Sequence, residues 1–164
     1  MADSQQRPTI DQLDGHDLLI GIIAARWNAE IVERLALGAR RAVTATGARH
    51  RDVTVPGAFE LPFAARTIIE SGTVDAVVVL GAVIRGETTH YELVAEGCAR
   101  GVMNVQLATG VPIGMGVLTV ENHSQALVRS EGAGGHNVGE EATLAAIEMA
   151  LMSKHEERPL PARS

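Results

Sequence analysis

One stretch of the chain, residues 81–92 with the sequence GAVIRGETTHYE, combines a histidine with a short loop of small and polar residues. Thr89 followed three residues later by Glu92 has the spacing of a capping box, which predicts a helix beginning at Thr89 or His90. The free N–H groups of a helix's first turn, together with its dipole, favour an anion such as phosphate in the loop 85–88. An imidazole changes charge near neutral pH, so His90 is a candidate proton carrier beside that anion.

Taken alone, these residues also fit a plain structural role. Glycine after a strand and threonine before a helix are common wherever a chain turns. A lone histidine at a helix start is more often a solvated or capping residue than a catalyst. A longer series of motifs along the chain is what favours the functional interpretation.

The elements around this stretch alternate between strands and helices. Apolar runs predict strands, and helical periodicity with caps predicts helices between them. The strands are predicted at residues 18–25, 52–55, 74–83 and 112–120, and the helices at residues 29–46, 59–71, 89–109, 122–129 and 140–152. This alternation predicts one parallel sheet covered by helices on both faces, with right-handed crossovers.

Ligands bind at the carboxyl ends of the strands in such sheets, so functional groups are expected in the segments there. These segments are residues 26–28, 56–60, 83–90 and 118–122. The strand at residues 74–83 is apolar almost throughout, which is typical of a strand buried on both faces.

Several local features carry their own predictions. Asn28 is a plausible N-cap for the helix that follows it, and Asn122 with Gln125 resembles a capping pair. Phe63 is expected to anchor its helix in the core. The segment 131–139 contains four glycines and is expected to be a mobile or ligand-adapting loop.

Length and composition predict one domain. The 164 residues are 46% hydrophobic, which suits a single core over residues 18–152, with an N-terminal arm at 1–17 and a C-terminal tail, expected to be disordered, at 153–164. A formal net charge of −6 without basic clusters argues against nucleic acid or an anionic membrane as partner. No apolar run approaches the roughly 20 residues of a membrane span, and residues 1–17 lack a secretory apolar region. We therefore expect a soluble, cytoplasmic protein.

Cysteine and histidine usage gives little sign of other chemistry. The single cysteine, Cys98, allows no internal disulfide, and its place on the apolar side of a helix favours core packing over nucleophilic catalysis. The other five histidines are scattered without ligand spacing, so no metal site is expected. No GxGxxG motif follows the first strand, which argues against an NAD-type domain.

Taken together, five motifs resemble the lumazine synthase family, whose members are 6,7-dimethyl-8-ribityllumazine synthases. They are ARWN (residues 25–28), VPGAFELPFAA (55–65), LGAVIRGETTHY (80–91), GVPIGMGVLTVEN (110–122) and Arg129, in the order and spacing of that family. The resemblance covers about residues 18–152. The combination of the GAFE and VIRGxTxH segments is highly specific.

The resemblance implies a flavodoxin-like, three-layer α/β/α sandwich with a four-stranded parallel sheet. It also implies the penultimate step of riboflavin biosynthesis, in which 5-amino-6-(D-ribitylamino)uracil condenses with 3,4-dihydroxy-2-butanone 4-phosphate. Family members use no metal or organic cofactor. They form homopentamers, in some cases assembled into an icosahedral capsid, with each active site shared by adjacent subunits, and riboflavin synthase is a potential partner.

Site residues follow from the resemblance position by position. His90 is the implied proton carrier, and Arg129 is implied to reach the phosphate from the adjacent subunit. The implied pyrimidine and ribityl contacts are Trp27, Asn28, Ala58, Phe59, Glu60, Val83, Ile84 and Met115. The implied phosphate contacts are Gly86, Glu87 and Thr88, chiefly through backbone N–H groups, together with the Arg129 guanidinium, whose fork matches phosphate oxygens.

Three positions depart from the family's pattern. Val138 aligns with a common lysine, Val128 with a common acidic residue, and Met115 with an aromatic residue that several members contribute from the neighbouring subunit. Trp27 stands where a phenylalanine is common. Since some members with tryptophan there bind riboflavin, a flavin-binding or storage role is the second hypothesis. The short loop 131–139 resembles that of members that form the icosahedral shell.

Overall fold

Four parallel strands form one sheet in the computed structural model, which describes residues 13–156. The strands are β1 (Leu19–Ala25), β2 (Arg49–Val55), β3 (Ala76–Ile84) and β4 (Ile113–Val120), and their order across the sheet is β2-β1-β3-β4. Residues 1–12 of the predicted arm and residues 157–164 of the predicted tail lie outside the described residues.

Helices cover both faces of the sheet. They are α1 (Ala29–Ala45), α2 (Leu61–Glu70), α3 (His90–Thr109), α4 (His123–Leu127) and α5 (Val138–Glu156), and a single 3-10 turn (Ala58–Glu60) precedes α2. The strand–helix alternation and the three-layer flavodoxin-like sandwich expected from the sequence are confirmed. Within residues 13–156, no helix is both long enough and apolar enough to cross a membrane.

The alternation of side chains along each strand divides the core into two layers. Ile20 and Ile22 of β1 face the layer formed with α1 and α5, whereas Ile23 of the same strand faces the layer formed with α2 and α3. β3 lies between β1 and β4, and eight of its nine residues are buried. Its continuous apolar sequence is the signature of a strand packed on both faces.

Two predicted element ends are wrong by three or more residues. β2 begins at Arg49 and not at residue 52. The prediction missed its first residues because they are polar, and this edge strand is exposed along most of its length. α5 runs to Glu156, four residues beyond its predicted end, and so includes the start of the predicted tail. α3, in contrast, begins at His90 and ends before Gly110, whose φ of 70° is the left-handed conformation of a glycine cap.

The expectation that Phe63 anchors α2 in the core is wrong, because its side chain is 79% exposed. The buried residues of this helix are Leu61, Ala65, Ile68 and Ile69, which recur at helical spacing along one face. Phe63 is two positions after the first of them and therefore lies on the other side of the helix.

Capping predictions met mixed outcomes. Asn122 and Gln125 do cap the start of α4, since Gln125 N donates to Asn122 Oδ1 at 2.9 Å and the Gln125 side chain accepts from Glu121 N, one residue before Asn122, at 2.9 Å. Thr89 is the N-cap of α3, but the Thr89–Glu92 capping box is wrong because neither side chain makes a capping bond. The Glu92 carboxylate binds Arg85 instead.

The loop before α5 is tied down at both ends. Asn137 is 1% exposed, and its side chain donates to Arg34 O at 3.0 Å and to Glu131 O at 2.9 Å. An isolated bridge pairs Asn137 with Ser130 across the loop. α5 already begins at Val138, and the glycine-rich part of the loop at residues 132–135 forms a turn in which Gly135 N donates to Gly132 O at 3.0 Å.

We expect Gly139→Ala to destabilise the protein by about 1–2 kcal/mol. A Cβ on Gly139 would lie 2.2 Å from the backbone oxygen of Leu35, where α5 meets α1. Overpacking against backbone costs about 1–3 kcal/mol, whereas alanine gains at most about 1 kcal/mol over glycine in a helix. Denaturant unfolding measures the difference. Gly132→Ala, which meets open space, is the control, and equal midpoints for the two variants would contradict the prediction.

Candidate active site

The ends of β1 and β2 form an open cleft of about 310 Å³ at the carboxyl edge of the sheet. Its lining residues are Arg26, Trp27, Asn28 and Pro56. The Trp27 side chain is 74% exposed there, although a large aromatic residue normally gains free energy by burial. An exposed, flat ring at the rim of a cleft can stack on a planar ligand.

Backbone geometry at Asn28 fixes the direction of this cleft wall. Asn28 has a φ of 57°, the left-handed conformation that asparagine tolerates better than most residues. Asn28 is the N-cap residue of α1, as predicted, but its side chain makes no capping bond; Nδ2 donates instead to Ala82 O on β3 at 2.8 Å. The long-range bond takes the place of the local cap and fastens the chain after β1 to the neighbouring strand.

The segment after β2 brings a carboxylate to the same cleft. The position that a Cβ on Gly57 would take lies 3.1 Å from Trp27 Cδ1 and 3.2 Å from Glu60 Oε2. Glycine therefore allows the indole and the carboxylate to approach each other over its backbone. Both side chains are exposed, so they are available to a ligand.

The two residues between Gly57 and Glu60 differ in what they can offer. Ala58 is 7% exposed and packs in the core, which leaves its backbone groups as its means of contact with a ligand. Phe59 is 63% exposed, and its Cε2 atom lies 2.9 Å from the Cβ position of Gly97 on α3. The Phe59 ring thus packs partly on α3.

β3 ends beside this cleft and leads into the candidate anion loop. Val83 is 9% exposed and Ile84 is half-buried, and the two side chains pack in opposite layers of the core. Their backbone groups are therefore what they present at the sheet edge. The following loop residues Gly86, Glu87 and Thr88 are all exposed, as an anion-binding loop must be.

His90 stands at the first position of α3 with its side chain exposed. Its backbone N–H donates to Thr88 Oγ1 at 3.3 Å, which links the helix start to the loop. Among the described residues, no hydrogen bond or ion pair holds the imidazole ring. The ring is thus available to exchange a proton with a ligand bound over the loop.

Arg85 forms a contact set that sequence reasoning missed. Its Nε donates to Glu121 Oε2 at 2.8 Å, its Nη1 donates to Glu92 Oε1, and its guanidinium carbon lies 4.3 Å from the centre of the Tyr91 ring. The hydrogen bond from Arg85 lowers the pKa of the Glu92 carboxyl, and the bonds to Glu92 and Glu121 raise the pKa of the Arg85 guanidinium. Only the spacing from Arg85 to Glu92 across the loop could have suggested part of this set.

Two predicted site residues do not reach the cleft within one chain. Arg129 is half-buried and its Nη1 donates to Gln125 O at 3.0 Å, and within residues 13–156 it makes no hydrogen bond or ion pair to the loop before α3. Met115 pairs in register with Val79, five residues before the end of β3 at Ile84, which is roughly 16 Å along a strand. Within the described chain, Met115 thus lies well before the strand end, and Arg129 is bonded to its own helix and not to the loop.

The segment that carries Arg129 is nonetheless well fixed. Val138 N donates to Arg129 O at 2.9 Å, and Arg34 Nε donates to Ser130 O at 2.9 Å. Val138 is half-buried, whereas Val128 is 53% exposed beside Arg129. Val138 thus donates a backbone hydrogen bond, whereas a lysine at this position would also supply a positive charge.

Other reactive groups in the described chain lie apart from this edge or are inert. Cys98 is fully buried, and burial raises the pKa of its thiol to about 11, so it is a neutral thiol at physiological pH. No three His, Cys, Asp or Glu side chains of residues 13–156 are placed to hold a metal ion.

Comparison with known proteins agrees with these features. The family model of 6,7-dimethyl-8-ribityllumazine synthase matches residues 17–154. The chain is 49% identical over 139 residues to the 6,7-dimethyl-8-ribityllumazine synthase of Kineococcus radiotolerans, covering 84% of this chain and 86% of the relative. It is 47% identical over 146 residues to the enzyme of that name from Deinococcus radiodurans (87% and 94% covered) and 50% identical over 135 residues to that from Deinococcus deserti (80% and 86% covered).

Proposed function

The chain belongs to the 6,7-dimethyl-8-ribityllumazine synthase family, and we propose that it carries out the family's condensation at the cleft and loop on the carboxyl edge of its sheet. It is a transferase of riboflavin biosynthesis. The reaction joins 5-amino-6-(D-ribitylamino)uracil to 3,4-dihydroxy-2-butanone 4-phosphate and releases phosphate and two waters. It needs no metal or organic cofactor.

The cleft beside Trp27 is the proposed site of the pyrimidine. A ring stacked on the exposed indole gains about 0.5–1.5 kcal/mol beyond area burial. Glu60, which approaches the indole over Gly57, accepts hydrogen bonds from ribityl hydroxyls. Backbone groups complete the contacts along the strand ends; they come from Ala58, Phe59, Val83 and Ile84. Asn28 supports this wall through its bond to Ala82.

The loop before α3 is the proposed site of the phosphate. Backbone N–H groups of Gly86, Glu87 and Thr88 point toward the anion in this proposal, and the dipole of α3 adds to the attraction. The Glu87 carboxylate turns away from the phosphate because two negative charges repel each other. Arg129 of an adjacent subunit closes the site with a guanidinium fork.

His90 moves the protons of the reaction. The 5-amino group attacks the ketone carbonyl and loses water to form an imine. A proton is then removed next to the imine carbon as phosphate leaves, and the resulting enol takes up a proton at its terminal carbon to become a ketone. The ribitylamino nitrogen attacks this ketone and closes the second ring with loss of the second water. Each step needs a proton taken or returned, and an imidazole at the mouth of the loop serves in both directions.

One observation carries this proposal: the described chain brings an exposed tryptophan and a carboxylate together over Gly57, at the same edge of the sheet as a loop that ends at an exposed histidine. The flat ring, the acceptor and the proton carrier match the three parts of the reaction. Arg129 and Met115, which a single chain leaves apart from the cleft, fit sites shared between neighbouring subunits.

We extend the proposal to assembly and location. The exposed apolar side chains Phe63, Leu93 and Leu107 support self-association, which we propose to be a homopentamer and, with the short loop 131–139, an icosahedral capsid. We place the enzyme in the cytoplasm, with riboflavin synthase as the partner that consumes its product. Sedimentation separates the pentamer from the capsid by size.

Mixing the purified protein with both substrates tests the function directly. We expect a green-fluorescent product and one phosphate released for each product molecule formed. Leaving out either substrate gives the background. A protein that binds the pyrimidine but releases no phosphate would overturn the proposed reaction.

Riboflavin binding is the second candidate function, favoured by the 74% exposure of the Trp27 indole. The larger ring gives an isoalloxazine a stacking surface that phenylalanine does not. We expect added riboflavin to lose fluorescence on binding, and Trp27→Phe to weaken binding by about fivefold, the loss of part of one aromatic contact. Equal quenching by the two proteins would show that Trp27 does not hold the flavin.

A further inference from the structure

Arg85 joins three elements around the candidate anion loop. It follows the last residue of β3, and its backbone N–H continues the sheet by donating to Val120 O at 2.9 Å. Its side chain binds Glu121, just after β4, and Glu92, in the first turn of α3. Arg85 therefore holds two carboxylates beside the loop between residues 85 and 90.

We propose that Arg85 is a positioning residue that neutralises Glu92 and Glu121 and so permits a phosphate to bind in the loop between them. This inference rests on the proposed function, because it deepens the account of the same phosphate site. Arg85 acts through the two carboxylates, and it is distinct from Arg129, the guanidinium assigned to the phosphate itself.

The charges around the loop show why such a residue is needed. Glu87 lies in the loop, Glu92 follows it by five residues, and Glu121 is brought to it by the end of β4. Without Arg85, an approaching phosphate would meet three carboxylates, against which this chain would offer the partial charge of a helix start and the neighbouring subunit would offer Arg129. One oxygen of Glu92 is buried and has no hydrogen-bond partner in the described chain, so the Arg85 bond is what balances this carboxylate.

Arg85 is also held in place on its third side. The guanidinium lies over the Tyr91 ring, which favours a cation at that position. The arginine fork binds two different carboxylates at once. A lysine has only one ammonium group and cannot reproduce this pair of contacts. The Arg85 side chain is thus held by its two carboxylate partners and is not a free surface charge.

The experiment compares KM for 3,4-dihydroxy-2-butanone 4-phosphate among charge variants. We expect Arg85→Met to raise this KM about tenfold, an effect of the size of one hydrogen bond to a charged group, with kcat and the KM for the pyrimidine within about twofold of the parent. Adding Glu92→Gln and Glu121→Gln to Arg85→Met removes the unbalanced charges. The triple variant is expected to return to within about twofold of the parent KM.

The salt dependence of KM distinguishes charge neutralisation from a purely structural role, which salt would not affect. At about 1 M ionic strength the Debye length falls to about 3 Å, so the ratio of the Arg85→Met KM to the parent KM is expected to shrink to below about threefold. The inhibition constant of inorganic phosphate should follow the same pattern. Arg66→Met, which removes an exposed arginine paired with Glu70 on α2, is the matched control and should leave both constants unchanged.

Several outcomes would overturn the inference. An unchanged KM for Arg85→Met, or an equal rise for Arg66→Met, shows that Arg85 has no specific role at the loop. A triple variant that stays about tenfold impaired shows a geometric role in place of charge neutralisation. If Arg85→Met does not fold, Arg85→Lys carries the test: it keeps the charge and should stay within about threefold of the parent, and a larger rise contradicts the proposal.

Failure of the inference and failure of the proposed function are distinguishable. If Arg129→Ala raises the KM for the phosphate substrate and Arg85→Met does not, the phosphate site stands and the role of Arg85 falls. If neither variant changes that KM, the loop before α3 is not the phosphate site.

Discussion

Replacing His90 with alanine should lower kcat by about 10²–10⁴ and leave a slow but measurable enzyme. The loss has this size because a positioned proton carrier contributes to several steps, while the cleft and loop still hold the two substrates together. Holding reactants in place can by itself supply a larger rate factor than proton transfer does. The exposed imidazole makes no hydrogen bond or ion pair within residues 13–156, so its removal should not unfold the protein.

Steady-state kinetics with both substrates measures this effect. His155→Ala is the control, since His155 is exposed near the end of α5. The adjoining Lys154 pairs with Asp75, which lies just before β3 begins, so His155 is at the opposite edge of the sheet. The control should keep the parent kcat. A His90→Ala variant that runs at the parent rate would remove His90 from the mechanism.

Replacing Arg129 with alanine should raise the KM for 3,4-dihydroxy-2-butanone 4-phosphate by about 10–100-fold. A guanidinium that binds phosphate through a charged, forked contact contributes about 1.5–3 kcal/mol, and the neutral alanine recovers none of it. The KM for the pyrimidine should change little because the proposed site of that substrate is the cleft beside Trp27. The KM of Arg129→Lys for the phosphate substrate should fall between that of the parent and that of Arg129→Ala, since lysine keeps the charge and loses the fork.

Kinetic titration of each substrate in turn separates these constants. Folding is checked by denaturant unfolding, because Arg129 also donates to Gln125 O at the end of α4 and its loss removes that bond. A folded Arg129→Ala variant with an unchanged KM for the phosphate substrate would contradict the assignment.

The order and type of the main elements could be predicted from the sequence because local patterns specify them. β3 is a continuous apolar run, and α3 is bounded by Thr89 and Gly110, so both were predicted closely. β2 was predicted too short because an exposed edge strand has no apolar pattern in its first residues. Edge strands are stabilised by pairing with a neighbour that a local pattern does not show.

Phe63 shows a different kind of error. Aromatic residues are scarce in this chain, and Phe63 was expected in the core on the strength of its residue type. The spacing of Leu61, Ala65 and Ile68 places the buried face of α2 elsewhere, so helical periodicity was the better guide than residue type. The exposure of Phe63 fits an aromatic side chain left for contact with another subunit.

Site prediction reached the residues that follow strand ends but not their long-range contacts. The position of Trp27 after β1 and of Glu60 after β2 placed them at one edge, and the structure brings both to Gly57. The bond from Asn28 to Ala82 and the pairing of Arg85 with Glu121 join residues far apart in the chain. No local spacing rule gives such contacts, because they depend on which strands become neighbours.

The most direct test of the proposed shared phosphate site mixes two impaired chains and assays them at a concentration of 3,4-dihydroxy-2-butanone 4-phosphate well below the KM of the parent, where both variants are slow. His90→Ala and Arg129→Ala variants are co-expressed in equal amounts, so that mixed assemblies form, and the activity is compared with each variant alone. If His90 of one chain and Arg129 of its neighbour serve one site around a closed ring, about a quarter of the sites regain both groups, and about a quarter of the parent activity returns. Activity no higher than the mean of the two variants would contradict a site shared between subunits.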